Sequence, residues 1–296
     1  RQFDAYWNHR LAVPMVNLAK GVDSEELAEI RAAVVLGMEQ AGETIYGDAI
    51  NTELMKRFYA RSLPPYLAGA ELLTDSPDKL LTDISREQQL VGVALGEALS
   101  SAEEEIVIFT PYLIPGDGGV EFVRKLRDRG VRVVIVTNSL ATNNHTAVYS
   151  AYRRYRKALV EAGVELWEVR ADAARAEPGS AEDPDGDGLL TLHSKALLID
   201  RRRLFAGSVN LDPRSIEINT EMGLMIESPE LTSWLVERSL QRVPELAYRV
   251  TLDEDGDILW QATIDGQEVV ETRSPQTTSW ERFKAWFFQL APEKQL

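Results

Sequence analysis

The sequence predicts an α/β fold in which a mostly parallel mixed sheet carries helices on both faces. Three observations lead there. From about residue 84, apolar runs of strand length alternate with longer segments of helical character. Gly130 and Gly163 close two of the helical segments. The links between elements are short, as in sheets wound by strand–helix crossovers.

Residues 1 to about 80 read as mainly helical. Asp23-Ser24-Glu25-Glu26-Leu27 is a helix start with acidic residues in its first turn. Leu27, Ile30, Val34 and Met38 then recur at steps of three and four. Gly37 weakens the far end of that helix, and Pro64-Pro65 breaks the pattern. Residues 87–100 are the next expected helix and 106–109 a buried strand. Residues 120–129 follow as helix, 131–136 as strand, 146–162 as helix and 164–169 as strand. A further strand is expected from near Thr191, with a turn at Asp200-Arg201-Arg202-Arg203 and a returning strand over 204–209. Residues 249–252 and 258–260 form a hairpin around Asp253-Glu254-Asp255-Gly256-Asp257. The last helix is expected over 279–290. The implied organisation is a helical connector over 1–83, an α/β domain over 84–250, and a C-terminal hairpin with an amphipathic helix over 251–296.

A chain of 296 residues can bury a sizeable core. The absence of cysteine excludes disulfides, thiolate metal sites and a cysteine nucleophile. A net charge of −15 argues against a nonspecific nuclease, which needs a basic face for phosphates. Local basic clusters do occur. Arg153, Arg154, Arg156 and Lys157 lie together, either as a solvated helix face or as a site for anionic headgroups. No apolar run reaches the roughly 18 residues of a membrane-crossing helix.

Residues 172–188 are acidic and rich in Ala, Pro and Gly, an expected exposed loop. Asp183-x-Asp185-x-Asp187-Gly188 begins like a calcium loop, but its twelfth position is Ser194, so a solvated loop is the expectation. Trp280, Phe283, Trp286 and Phe287 share one helical face, extended by Phe288. That face either packs on the domain or lies in a membrane interface, which Trp and Phe favour.

The chemistry concentrates between Leu192 and Glu221. His193, Lys195 and Asp200 fit H-x-K-x4-D, and Gly207-Ser208-Val209-Asn210 follows after six residues. On a strand, residues two apart point to one face, so His193 and Lys195 are expected side by side, with Asn210 converging on the same mouth. An imidazole acts as nucleophile or general acid. An ammonium and an amide bind phosphoryl oxygens as charge builds. Such a set requires no metal and no cofactor. Asp200 on its own reads as a turn residue or an orienting group. Ligands of wound sheets gather at strand ends, which brings Tyr112 and Asn138 to the same mouth as substrate-binding candidates.

With Glu221 included, seven positions stand at the spacing of the phospholipase D superfamily, which the chain resembles here. Phe109-Thr110-Pro111-Tyr112-Leu113-Ile114-Pro115-Gly116, Val136-Thr137-Asn138-Ser139-Leu140 and Asn210-Leu211-Asp212-Pro213-Arg214-Ser215 resemble the C-type branch of bacterial cardiolipin synthases, as do the opening RQFDAYWNHRLAVPM and the ending. The resemblance implies a phospholipase D-like domain that transfers phosphatidyl groups through a phosphohistidine to make cardiolipin. It also implies catalytic roles for His193, Lys195, Asp200, Asn210 and Glu221. His193 would be the general acid, Lys195 and Asn210 the phosphate clamp, Ser208 a supporting group and Glu221 the orienter of an imidazole. The implied partners are phosphatidylglycerol or phosphatidylethanolamine and a membrane surface, with no nucleic acid. The implied location is peripheral, on the cytoplasmic face of a bacterial inner membrane.

The superfamily brings two such motifs into one active site. Only His9, His145 and His193 are present, and neither His9 nor His145 makes H-x-K. The other H-x-K is therefore expected in a missing N-terminal half or in a second copy of the chain. Three alternatives stand beside the synthase: a homodimeric single-motif phosphodiesterase or nuclease, a phospholipase D hydrolase, and a noncatalytic lipid-binding fragment.

Overall fold

The structure, a computed structural model, describes residues 1–19, 21, 23–41, 53–62, 66–81, 90–173 and 191–290. The chain divides into two compact units, residues 1–65 with 177–188, and residues 66–176 with 189–296. In the first, α1 (Gln2–Trp7), α2 (Ser24–Ala41) and α3 (Glu53–Tyr59) are the described helices. The start of α2 is the one expected: the Asp23 carboxylate accepts the amides of Glu25 and Glu26, each at 2.9 Å. Its apolar stripe of Leu27, Ile30, Val34 and Met38 is exposed.

The second unit is built on ten strands: β1 (Gly69–Thr74), β2 (Glu105–Phe109), β3 (Arg132–Asn138), β4 (Glu165–Val169), β5 (Ala196–Ile199), β6 (Arg203–Gly207), β7 (Met222–Glu227), β8 (Ala247–Leu252), β9 (Ile258–Ile264) and β10 (Gln267–Glu271). They form one sheet in the order β1-β7-β6-β5-β2-β3-β4-β8-β9-β10. Its helices are α4 (Leu90–Ser100), α5 (Gly116–Asp128), α6 (Thr146–Glu161), α7 (Pro213–Glu217), α8 (Pro229–Leu246) and α9 (Ser279–Phe287).

The central strands are apolar at successive positions because both faces are covered. Ile106, Ile108, Val133, Ile135, Leu197 and Ile199 share a core with residues of α4, α5 and α6, among them Leu95, Val123 and Leu159. The intervening Val107, Val134 and Leu198 face the other way, onto Val236 of α8. Successive side chains of a strand point to opposite faces, so one apolar run serves two layers.

The α/β sandwich with helices on both faces is as expected, but the sheet is not mostly parallel. Only β2–β3 and β3–β4 pair in parallel among the described strands; the other ladders are antiparallel. Helices α5 and α6 carry the chain between the neighbouring strands β2, β3 and β4, which pair in parallel, while tight turns join β5 to β6, β8 to β9 and β9 to β10, and a tight turn enforces antiparallel pairing. Asp200 and Arg201 turn with φ of 52° and 53°, and Asp265 and Gly266 with 50° and 77°. These left-handed pairs match the right-handed twist of a hairpin. The second is an Asp-Gly signal that predicts β10, a strand the sequence reading omitted.

Three expected boundaries also move. Residues 69–74, expected within the helical connector, form β1, an edge strand paired with β7. The expected C-terminal hairpin is no separate module, since β8 pairs with β4 and continues the sheet. The strand expected from Thr191 begins at Ala196, so His193 and Lys195 lie just before it. The acidic stretch with Asp183, Asp185 and Asp187 lies outside the described residues.

The basic cluster of α6 is not one solvated face. Arg156 is buried, 3.1 Å from Glu168 and over the Trp260 ring, its guanidinium carbon 4.5 Å from the ring centroid. Glu168 also accepts from the Tyr152 hydroxyl and the Trp260 indole, each at 2.9 Å. These contacts tie α6 to β4 and β9. Burial beside Glu168 pushes the Tyr152 phenol well up, so it stays a neutral donor.

Candidate active site

The strand ends converge as the ladders dictate. Phe109, the last residue of β2, is paired with Ala196, the first of β5. The amide of Gly207, at the end of β6, donates to the Lys195 carbonyl at 3.2 Å. His193 and Lys195 therefore sit at the carboxyl end of parallel β2 and β3, where Ser208 and Asn210 also leave β6. Gly207 is required there: a Cβ would lie 2.5 Å from the Met222 carbonyl oxygen and 2.7 Å from the Phe205 ring.

The His193 imidazole is exposed and makes no hydrogen bond to another of the described residues. Lys195 is half-buried, and its ammonium donates to the His193 carbonyl at 2.9 Å. Desolvation pulls the Lys195 pKa below the usual lysine range, while Glu221 and Asp212 oppose that shift. Asn210 donates from Nδ2 to Ser215 Oγ at 3.3 Å, which leaves the second amide hydrogen free for a ligand. Ser215 Oγ donates in turn to Asp212. The Asp212 carboxylate caps α7 through the Ser215 amide at 2.8 Å. Burial, the leading cause, and the nearby Glu221 raise its pKa above the usual aspartate value.

Glu221 is buried, and its carboxylate accepts a short hydrogen bond from the Ser208 hydroxyl. The expectation that it orients an imidazole does not hold for His193 in this chain; its direct partner is Ser208. Asn138 is likewise a positioning residue and not an open substrate contact. It is buried, and its amide holds Leu192 at both backbone atoms, donating to the carbonyl at 3.0 Å and accepting from the amide at 2.9 Å. This fixes the segment that carries His193. Tyr112 does face the open pocket, which is lined in part by His145, Asn210, Asp212 and Ser215. Its hydroxyl donates to Asn144 at 2.8 Å, and desolvation raises its pKa.

Asp200 departs from the catalytic set. It follows the far end of β5, and its carboxylate accepts the amides of Glu103, Glu104 and Glu105 at 2.8–3.2 Å. Four strand residues separate it from Lys195, about 16 Å of extended chain. It organises the entry into β2.

Sequence reasoning missed the support beneath the site. Asp75 and Lys79 form a buried ion pair at 2.6 Å. Asp75 accepts the amides of Glu221 at 3.1 Å and Val91 at 3.2 Å, and Lys79 donates to the Ser215 carbonyl at 3.4 Å. The pair thus braces both Glu221 and the residue that holds Asn210. No local pattern marks it, because its partners lie far along the chain. Thr110 carries no role in the sequence analysis, yet its hydroxyl accepts the Leu211 amide at 3.4 Å and donates to the Tyr112 carbonyl at 2.8 Å, stapling the two mouth segments. The cap at Asp212-Pro213 was legible as an N-cap followed by proline at the first helical position.

An exposed imidazole, a cation and an amide donor carried by adjoining strand ends suit acid–base chemistry on a phosphorylated substrate. Residues 95–242, half of the chain, match the family described as cardiolipin synthase, phospholipase D-like domain. Cardiolipin synthase C of Escherichia coli strain K12 is 33% identical over 235 residues, 79% of this chain and 50% of that protein. An uncharacterized protein of Helicobacter pylori strain J99 is 27% identical over 99% of this chain and 57% of its own length. The chain thus spans about half the length of the curated relatives it matches. Among solved structures, the phospholipase D family member Nuc from Salmonella typhimurium aligns with a TM-score of 0.44 at 18% identity, covering 62% of this chain and 99% of that one.

Proposed function

The chain belongs to the family of cardiolipin synthase, phospholipase D-like domains, and from that premise we propose that it supplies one half of the active site of a phosphatidyltransferase that makes cardiolipin. The reaction is a two-step exchange. A histidine outside this chain, from a further H-x-K segment or a second copy, attacks the phosphorus of a donor phospholipid. The bond to the headgroup oxygen breaks as His193 delivers a proton to it, and the phosphatidyl group stays on the attacking histidine. His193, now neutral, takes the proton of an acceptor hydroxyl, and that oxygen displaces the histidine. Phosphatidylglycerol as acceptor gives cardiolipin; water gives phospholipase D hydrolysis. Lys195 and Asn210 donate to the phosphoryl oxygens, whose charge grows in each transition state. Ser208, locked to Glu221, and Asn138, locked to Leu192, keep the two donor segments in register. The donor is phosphatidylglycerol or phosphatidylethanolamine, and the working site is the cytoplasmic face of a bacterial inner membrane. Among the described residues no helix is long and apolar enough to cross a membrane, so contact with lipid is proposed to be peripheral.

One observation carries this reading: His193 is exposed and unbonded among the described residues, while Asn138, Ser208, Glu221 and Asp212 nearby are engaged in hydrogen bonds. His193→Ala in the full-length protein is expected to lower phosphatidyl transfer by at least about a thousandfold with an unchanged melting temperature. Transfer at the wild-type rate in that variant overturns the assignment.

A further inference from the structure

Among the described residues, helix α9 presents an exposed aromatic face. Helix α9 is seated through Ala285, 1% exposed, while Trp280, Phe283, Trp286 and Phe287 are 63%, 49%, 54% and 55% exposed. A capping box fixes the helix start, with Thr278 accepting the Glu281 amide and Glu281 accepting the Thr278 amide. The rings form a row. Trp280 stacks on Phe283 at 5.5 Å, Phe283 lies 6.5 Å from Phe287, and Phe287 meets Phe288 edge-on at 6.1 Å. Phe288 ends the row at the pocket that it lines together with Tyr112 and Asn210. A contiguous apolar patch of this kind marks a binding surface, since folding gains nothing from it.

The flank of the row is cationic in a chain that is strongly anionic. The cleft between α9, α6 and the β8–β9 turn is lined by Arg153, Lys157, Arg273 and Arg282 beside Phe283 and Trp286. Asp253 and Asp257 are the carboxylates on its lining, Arg156 is neutralised by Glu168, and Lys157 lies 4.0 Å from Glu161, which leaves Arg153, Arg273 and Arg282 against the two aspartates. The cleft therefore keeps a net positive charge.

We propose that the aromatic face of α9 docks the protein on a phospholipid surface, with the cationic cleft turned to anionic headgroups. The nine residues of α9 span about 13 Å, too short to cross a bilayer but suited to lying in its interface. Trp and Phe occupy that depth, and arginines and lysines beside them attract anionic lipid. The row then runs from the membrane to the mouth holding Asn210, so a lipid headgroup reaches the phosphate clamp without leaving the interface. The proposal rests on the lipid reading of the active site.

The test is cosedimentation of the full-length protein with vesicles of phosphatidylglycerol and phosphatidylcholine, alongside turnover of a short-chain, monomerically dissolved phosphatidylglycerol. Combined Trp280→Ser, Phe283→Ser and Phe287→Ser is expected to weaken vesicle binding by about tenfold or more while leaving short-chain turnover and melting temperature unchanged. Vesicles of phosphatidylcholine alone are expected to bind the wild type more weakly. Wild-type vesicle binding in the triple variant overturns the proposal. A changed oligomeric state with unchanged vesicle binding also overturns it, because the face is then covered by protein. If the triple variant folds poorly, Trp280→Tyr with Trp286→Tyr decides. Wild-type tryptophan fluorescence quenched by bromine-labelled lipid chains, with quenching lost in the tyrosine pair, supports docking; equal quenching in both overturns it. Absence of short-chain turnover in the wild type counts against the enzymatic reading alone, since vesicle binding is read separately.

Discussion

At one end of β5 the His193 imidazole stands exposed and the Lys195 ammonium is partly stripped of water, its pKa drawn down. At the other end Asp200 is saturated, its carboxylate holding three consecutive backbone amides while neighbouring Arg201 pairs with Glu105 at 2.5 Å. One short motif spans both ends. The open end keeps unused hydrogen-bonding capacity, which binding and proton transfer require. The closed end spends all of it on locking β2 to β5. A motif spacing therefore mixes chemical and structural residues, and only their surroundings separate them.

The largest expected break in this comparison is at Lys195. Lys195→Met is expected to lower phosphatidyl transfer about a hundred- to a thousandfold, because a phosphoryl donor is removed, without lowering the melting temperature. In the wild type the alkaline limb of the rate profile should fall below the pH expected of an ordinary lysine, since desolvation favours the neutral amine. A limb at the ordinary lysine value, or a Met variant of normal rate, removes Lys195 from the clamp.

Asp200→Ala is expected to do the reverse. Three amides lose their acceptor and an alanine must adopt φ of 52°, for a loss of about 2–3 kcal/mol in denaturant unfolding. Asp200→Asn keeps an acceptor and tolerates that backbone, so it should lose less. The folded fraction of both should retain its rate. A rate loss at full stability would return Asp200 to the catalytic set.

The smallest expected effect is at Asp212. Its folded pKa is raised, so its contribution to stability is fully present below the unfolded aspartate value and is lost as pH rises through the raised value. Asp212→Asn retains the cap but not the charge. Its stability relative to wild type should improve from below pH 4 towards neutrality, by no more than about 1 kcal/mol. A melting-temperature difference independent of pH would contradict the burial argument.

Much of this was legible along the chain. The apolar runs at 106–109 and 131–136 and the glycines that follow two helices are local signals, and they gave the α/β alternation nearly residue for residue. The spacing of His193, Lys195, Ser208 and Asn210 carried the family resemblance from which their roles are proposed. Strand direction was not legible, because an apolar run looks the same whichever way its neighbour runs. Nor was β1, whose partner β7 lies about 150 residues away.

By itself the sequence determined strands β2 to β4, the helices between them, the candidate reacting groups and the family, because periodicity, turn residues and motif spacing are properties of neighbouring residues. Tertiary structure alone decided that Asn138 grips Leu192 and does not face substrate, that Arg156 is buried against Glu168, and that Asp75 and Lys79 brace Glu221 and Ser215. It also decided that the aromatic row of α9 stays exposed beside the active-site mouth. Hydrogen bonding and burial depend on which distant residues a chain brings within about 3–4 Å, and that proximity is set by packing and not by order along the chain.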